Sequence, residues 1–283
     1  MIAHVTAVML AALAPTQQAS DTTFAVEADG RLEVTQIEGV IRITAWDRAE
    51  MRVVADYDEE DGRLEVRRSG GTVHLSAKGE WGEPVYAEFD ISVPRRMALE
   101  MNGASLEVSI DGTEGDVTVS TAEGDITLAG GSGNVALNAV DGEVTVSGAT
   151  GKIAINAVDG DISVSRANGA IAATAVDGSV ALEQITSDNV SVNSVDGDVS
   201  YRGTIKDGGR YVLSTHDGDL DVVIPDGTNA RISIDTFSGD LDTDFPVQFE
   251  GDFGKKRMSF TIGTGKALVE LSAFDGTISL RKQ

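Results

Sequence analysis

The sequence predicts an all-β chain wound as a two-sided, right-handed parallel β-solenoid of about 18 residues per coil, with non-periodic β caps at both ends. Three observations predict it. A phrase centred on Asp-Gly returns at Gly124, Gly142, Gly160 and Gly178, every 18 residues, and then at Gly197 and Gly218. A second glycine set, Gly115, Gly133, Gly151 and Gly169, runs nine residues out of phase, so each coil has two turns. A fixed period of this length marks a stacked-repeat architecture. Third, Val and Ile alternate with small or polar residues between the turns, as in Val144-Thr145-Val146 and Ile162-Ser163-Val164. Alternation over short β-branched runs is the mark of half-buried strands.

A meander of antiparallel hairpins would also use Asp-Gly turns. It would not make the 18-residue repeat stricter than the nine-residue one. Outward positions also match across the longer repeat: Asn138, Asn156, Thr174 and Asn193, and beside them Ala136, Ala154, Ala172 and Ser191. Parallel stacking in register sets such equivalents about 4.8 Å apart. Right-handedness follows from the general rule for crossovers between parallel strands.

In chain order, residues 1–19 read as an export signal, with an apolar Val5–Ala14 core too short to span a bilayer and cleavage expected after Ala19. Residues 20–110 are strand-rich without a period and read as an N-terminal cap with irregular coils, needed because a first coil exposes apolar side chains and unpaired edges. Residues 111–224 are the regular repeats, and residues 225–283 the C-terminal coils and cap. The aromatics Phe245, Phe249 and Phe253, with Pro246 and the basic pair Lys255-Lys256, suggest bulk that closes the far end. Two last strands, Ala267–Ser272 and Thr277–Leu280, joined through Phe274-Asp275-Gly276, finish the chain.

Several phrases carry a family resemblance: Ile41-Arg42-Ile43-Thr44-Ala45-Trp46-Asp47 after Gly39, the strand end Ile91-Ser92-Val93-Pro94, the Gly-Asp-Ile/Val repeats, and Phe274-Asp275-Gly276-Thr277-Ile278-Ser279-Leu280. The chain resembles the bacterial putative-adhesin β-strand-repeat family, exported domains without an established activity. The resemblance implies a solenoid and attachment at the cell envelope or surface, and it brings no catalytic residues.

Composition narrows the chemistry. Formal net charge is −24, and residues 105–225 hold 19 acidic against 5 basic side chains, so the repeats carry −14 of it. Nucleic acid and anionic membrane surfaces are therefore excluded as expected partners. No cysteine is present, so thiolate chemistry and disulfides are excluded. No run outside the signal is apolar enough for a membrane span. His74 and His216 lie in no triad or metal-ligand spacing, and His216 shares the column of Val140, Val158, Val176 and Val195, where a partly buried turn residue is expected. No Gly-x-Ser-x-Gly elbow occurs.

Two features could bind something. Stacked acids (Asp141, Asp159, Asp177 and Asp196, with Asp161 and Asp198 beyond the glycine) offer hard oxygens to calcium. However, the calcium nonapeptide Gly-Gly-x-Gly-x-Asp is absent, and like charges about 5 Å apart in water cost only about 1 kcal/mol per pair. The expectation is therefore no metal and no cofactor, with these aspartates acting as turn-formers. The ladder Asn138, Asn156, Thr174 and Asn193 makes a smooth wall suited to contact. Its plainer reading is that short side chains relieve crowding on a tightly stacked sheet. The functional expectation is a non-enzymatic exported envelope or surface protein that contacts another protein or a glycan. The alternative is a carbohydrate-active enzyme using acids along the coil.

Overall fold

A computed structural model describes residues 20–57, 62–79, 81–245 and 257–283, and its regular elements are 26 strands joined in one hydrogen-bonded network. Among the described residues no helix is long and apolar enough to cross a membrane. The export signal, Phe249, Phe253, Pro246 and Lys255-Lys256 lie outside the described residues.

The repeats stack in parallel as two rows of strands. One row contains Asn134–Asp141, Thr150–Asp159, Asn168–Thr174 and Asn189–Asp196. The other contains Val144–Ser147, Ile162–Ser165, Val180–Ile185 and Val199–Gly203. Val117 pairs with Val135, Val135 with Ile153 and Ile153 with Ile171, and the ladder continues through Val190 to Tyr211. Antiparallel hairpins do not occur in this region.

Alternation decides what is buried. Val135, Leu137, Ile153 and Ile155 from the first row meet Val144, Val146, Ile162 and Val164 from the second, and all eight are buried. Complete burial of each such side chain contributes about 1.5–3 kcal/mol. Near the Asp-Gly edge the interior narrows, and the inward position there holds Ala139, Ala157 and Ala175. Where Ser194 and Thr215 replace alanine, their hydroxyls donate to Gly178 O at 3.0 Å and Gly197 O at 2.8 Å. At these two positions the buried hydroxyls are paired, whereas Thr236, beyond Ala273 in the same column, keeps a buried hydroxyl without a partner among the described residues.

At both ends, order along the axis departs from order along the chain. Strands Arg31–Thr35 and Glu38–Trp46 come early in the sequence, yet they lie between two later pairs. On one side are Thr72–Lys78 and Tyr86–Pro94; on the other are Ala98–Asn102 and Ser105–Thr113. Antiparallel strands Arg63–Ser69, Glu50–Tyr57 and Ser20–Ala25 continue outward from there. The C-terminal end repeats the device. Ala267–Asp275 and Ile278–Lys282 insert between Arg210–Asp217 with Leu220–Ile224 and Ala230–Ser238 with Leu241–Thr243. Arg257–Ile262 then pairs antiparallel on the outer side of Ala230–Ser238. The last strands of the chain are thus enclosed, and Phe245 is buried while Phe237 and Phe274 are exposed.

Candidate functional site

The Asp-Gly edge is built by its glycines. Gly142, Gly160, Gly178, Gly197 and Gly218 take φ between +141° and +149°, and Gly276 takes +138°, a region closed to most side chains. Each also lies on the carbonyl of the glycine one coil away, so a Cβ on Gly160 would overlap the Gly142 oxygen. The column is a consequence of close stacking.

The acids after the glycines serve the same purpose. Asp125 Oδ1 accepts the backbone N–H of Glu143 at 2.8 Å, and Asp161 Oδ1 that of Ser179 at 2.7 Å. Asp198 Oδ1 accepts from Asp219 N at 2.8 Å, and Asp219 Oδ1 from Thr277 N at 2.7 Å. Each tie joins one coil to the next. The acids before the glycines, Asp141, Asp159, Asp177 and Asp196, stand in register and exposed. Among the described residues no three His, Asp or Glu side chains cluster so as to hold a metal ion.

The polar ladder forms a single column. Asn138 pairs with Asn156, Asn156 with Thr174, Thr174 with Asn193 and Asn193 with Ser214. Asn156 Nδ2 donates to Asn138 Oδ1 at 2.9 Å, and Ser214 Oγ donates to Asn193 Oδ1 at 2.9 Å. These bonds fix the rotamers of the two end pairs before anything touches the column.

His216 departs from expectation, being exposed rather than partly buried. Its ring stacks on Phe274, with centroids 4.6 Å apart, and Phe274 stacks on Phe237 at the same spacing. The rest of the column is also open: Val140, Val158, Val176 and Val195 keep 51, 45, 44 and 45% of their surface exposed, and Ile37 at the other end keeps 51%. Sequence reasoning missed this apolar edge, although its signal was present. Val135, Leu137 and Ala139 are inward, so alternation puts Val140 in the outward phase, and the same phase recurs at Val158, Val176 and Val195.

Other candidates are structural. His74 Nδ1 lies 2.8 Å from Glu33 Oε2 on neighbouring strands. Tyr201 and Tyr211 meet edge to face at 6.0 Å inside the coil widened by the segment before Arg210. Burial pushes both phenols above their ordinary pKa. Tyr211 OH donates to Ser187 O at 2.6 Å, and Tyr201 OH to Thr204 O at 2.9 Å, which pins that widening.

Comparison with known proteins shows the family. No curated protein matches the chain. Similar solved structures include a "putative cell adhesion protein" from Clostridium sporogenes at 13% identity, covering 94% of this chain and 100% of that one with a TM-score of 0.26. Another is a "putative adhesin" from Parabacteroides distasonis at 9% identity, covering 95% and 98% with a TM-score of 0.46. A third, from Bacteroides fragilis, is also described as a "putative adhesin", at 12% identity, 94% and 98% coverage and a TM-score of 0.38. The model of the Toastrack DUF4097 family matches residues 30–281, from just before the Arg31–Thr35 strand into the enclosed Ile278–Lys282 strand. The chain, wound from its first inner coil to its last, belongs to the Toastrack DUF4097 family.

Proposed function

We propose that the protein is a non-enzymatic, exported envelope or surface protein whose solenoid is a rigid wall for contact with another protein or a glycan. In this reading the solenoid is right-handed, with about 18 residues per regular coil, and residues 20–110 and 225–283 close its ends. The observation that carries the proposal is the in-register polar column Asn138, Asn156, Thr174, Asn193 and Ser214, tied by side-chain hydrogen bonds between Asn138 and Asn156 and between Asn193 and Ser214. Its donors and acceptors repeat about every 4.8 Å, and the two bonded pairs are held in place, so little of their side-chain entropy is lost when a partner docks.

The test combines location with contact. The intact mass of the protein recovered from its native host should begin at Ser20, and a mass beginning at Met1 overturns the export reading. Envelope fractions should retain the wild type better than the combined Asn138→Ala, Asn156→Ala, Thr174→Ala and Asn193→Ala variant. Equal retention by two equally stable proteins overturns the wall reading.

A further inference from the structure

We propose that the Asp-Gly edge is a second contact surface, a docking strip for a basic amphipathic polypeptide segment of a partner protein. The strip consists of Val140, Val158, Val176, Val195, His216 and Phe274, one outward residue per coil on six consecutive rungs. Its valines and Phe274 are half-exposed although buried apolar positions are close by, and together they form a continuous stripe. Contiguous apolar stripes on soluble proteins mark interaction sites once they reach a few hundred Å².

Charge complementarity identifies the occupant. Beside every rung of the strip stands a carboxylate: Asp141, Asp159, Asp177, Asp196, Asp217 and Asp275. None of the six has an ion-pair partner among the described residues, and no Lys or Arg occurs in the turn segments 139–144, 157–162, 175–180, 194–199, 215–220 and 273–278. Like charges about 5 Å apart repel by about 1 kcal/mol per pair in water, and a row of cations would remove that repulsion. A partner that fits both columns carries apolar side chains in one row and Lys or Arg in the row beside it.

Other occupants fit less well. A second copy of the chain would bring an aspartate row against an aspartate row. An anionic membrane is repelled for the same reason. A glycan would use the faces of exposed rings, but Phe274 has both faces covered, by His216 and Phe237, and the four valine rungs carry no ring.

The probe is a fluorescently labelled synthetic helix with Leu along one side and Lys along the flanks, titrated with the full chain and read by anisotropy. The wild type should bind it, and added salt should weaken the complex. The combined Val140→Thr, Val158→Thr, Val176→Thr and Val195→Thr variant keeps shape and charge, and it should bind at least about tenfold more weakly. Changing Asp141, Asp159, Asp177 and Asp196 to Asn should produce a similar loss and flatten the salt dependence. The alanine variant of the polar wall should bind like the wild type, so the wall and the edge can fail separately. Melting curves must show each variant folded. Absent binding by the wild type, undiminished binding by the threonine variant, or equal binding of an all-Lys peptide would each overturn the proposal. Sedimentation showing self-association that the threonine variant loses would overturn it in favour of a homotypic contact.

Discussion

His216 and Phe274 lie face to face, with centroids 4.6 Å apart and planes 9° from parallel, although Ala230–Ser238, which lies between them in sequence, stacks outside both. The stack marks where the end of the chain enters the solenoid. Phe274 is covered by His216 on one side and by Phe237, at 3° and 4.6 Å, on the other. Thr215↔Ala273 and Asp217↔Asp275 fix the register around the first contact, and Thr236↔Ala273 fixes it around the second. A coil held on both faces cannot fray as a terminal repeat does.

Removal of residues 267–283 should therefore destabilise the C-terminal coils together. It takes away the partner of both Arg210–Asp217 and Ala230–Ser238 and uncovers the buried Leu213 and Ile234. Thermal unfolding of the truncated chain should begin far below that of the full chain. A melt unchanged by the truncation would place these strands outside the stack.

The glycine column gives a sharper test. Gly160→Ala puts a Cβ into the Gly142 carbonyl at φ +147°, and should cost about 3 kcal/mol or more. Gly148→Ala meets open space at φ +69° and should cost only the left-handed backbone strain of about 1–2 kcal/mol. Urea unfolding of the two variants reads the difference.

Neighbouring residues of one strand should answer oppositely to the same substitution. Ile162→Asp buries an unpaired carboxylate between the rows and should cost several kcal/mol, while Ser163→Asp points outward and should stay within about 0.5 kcal/mol. Equal changes in melting temperature would contradict the burial pattern.

Divalent cations should act on the acidic edge without selectivity. Four of its acids, Asp125, Asp161, Asp198 and Asp219, are already tied to backbone N–H groups of the next coil. Screening of a net charge of −24 predicts small, similar rises in melting temperature with Ca²⁺ and Mg²⁺. A specific site would contribute about 4 kcal/mol at a thousandfold excess over Kd. A large rise with Ca²⁺ alone, in melts matched for ionic strength, would establish calcium ligation by Asp141, Asp159, Asp177 and Asp196.

Acid should loosen the Ser20–Ala25 strand. Arg52 donates Nε to Asp21 Oδ1 at 3.0 Å and its NH2 to Oδ2 at 2.7 Å, and this hydrogen bonding holds the Asp21 carboxyl below its usual range. A carboxyl lowered in the folded state stabilises fully above its unfolded pKa, near about 3.9, and the contribution disappears as pH falls through the folded value. Amide protection at Thr22 and Phe24 should therefore drop at the acid end of a pH series. Asp21→Asn should remove that acid-dependent step.

Much of the fold was legible because its rule is local and repeated. Alternation marked Val144, Val146, Ile162 and Val164 as inward, and the 18-residue recurrence of asparagine at Asn138 and Asn156 implied parallel stacking. Both follow from the geometry of one strand and one turn, which a sequence repeats in plain view. The polar ladder was legible for the same reason.

Two things needed the tertiary structure. One is the enclosure of the first and last coils, because a strand's apolar face has the same appearance in sequence whether its neighbour is next in the chain or far along it. Ile278 pairs with Leu220 and with Leu241, and nothing in a single strand's pattern chooses those partners. The other is the exposure of the valine edge. The sequence by itself determined that Val140, Val158, Val176 and Val195 recur. Alternation also put them in the outward phase, but only the folded chain decided that they face water, because whether another segment packs over an outward position depends on residues far along the chain.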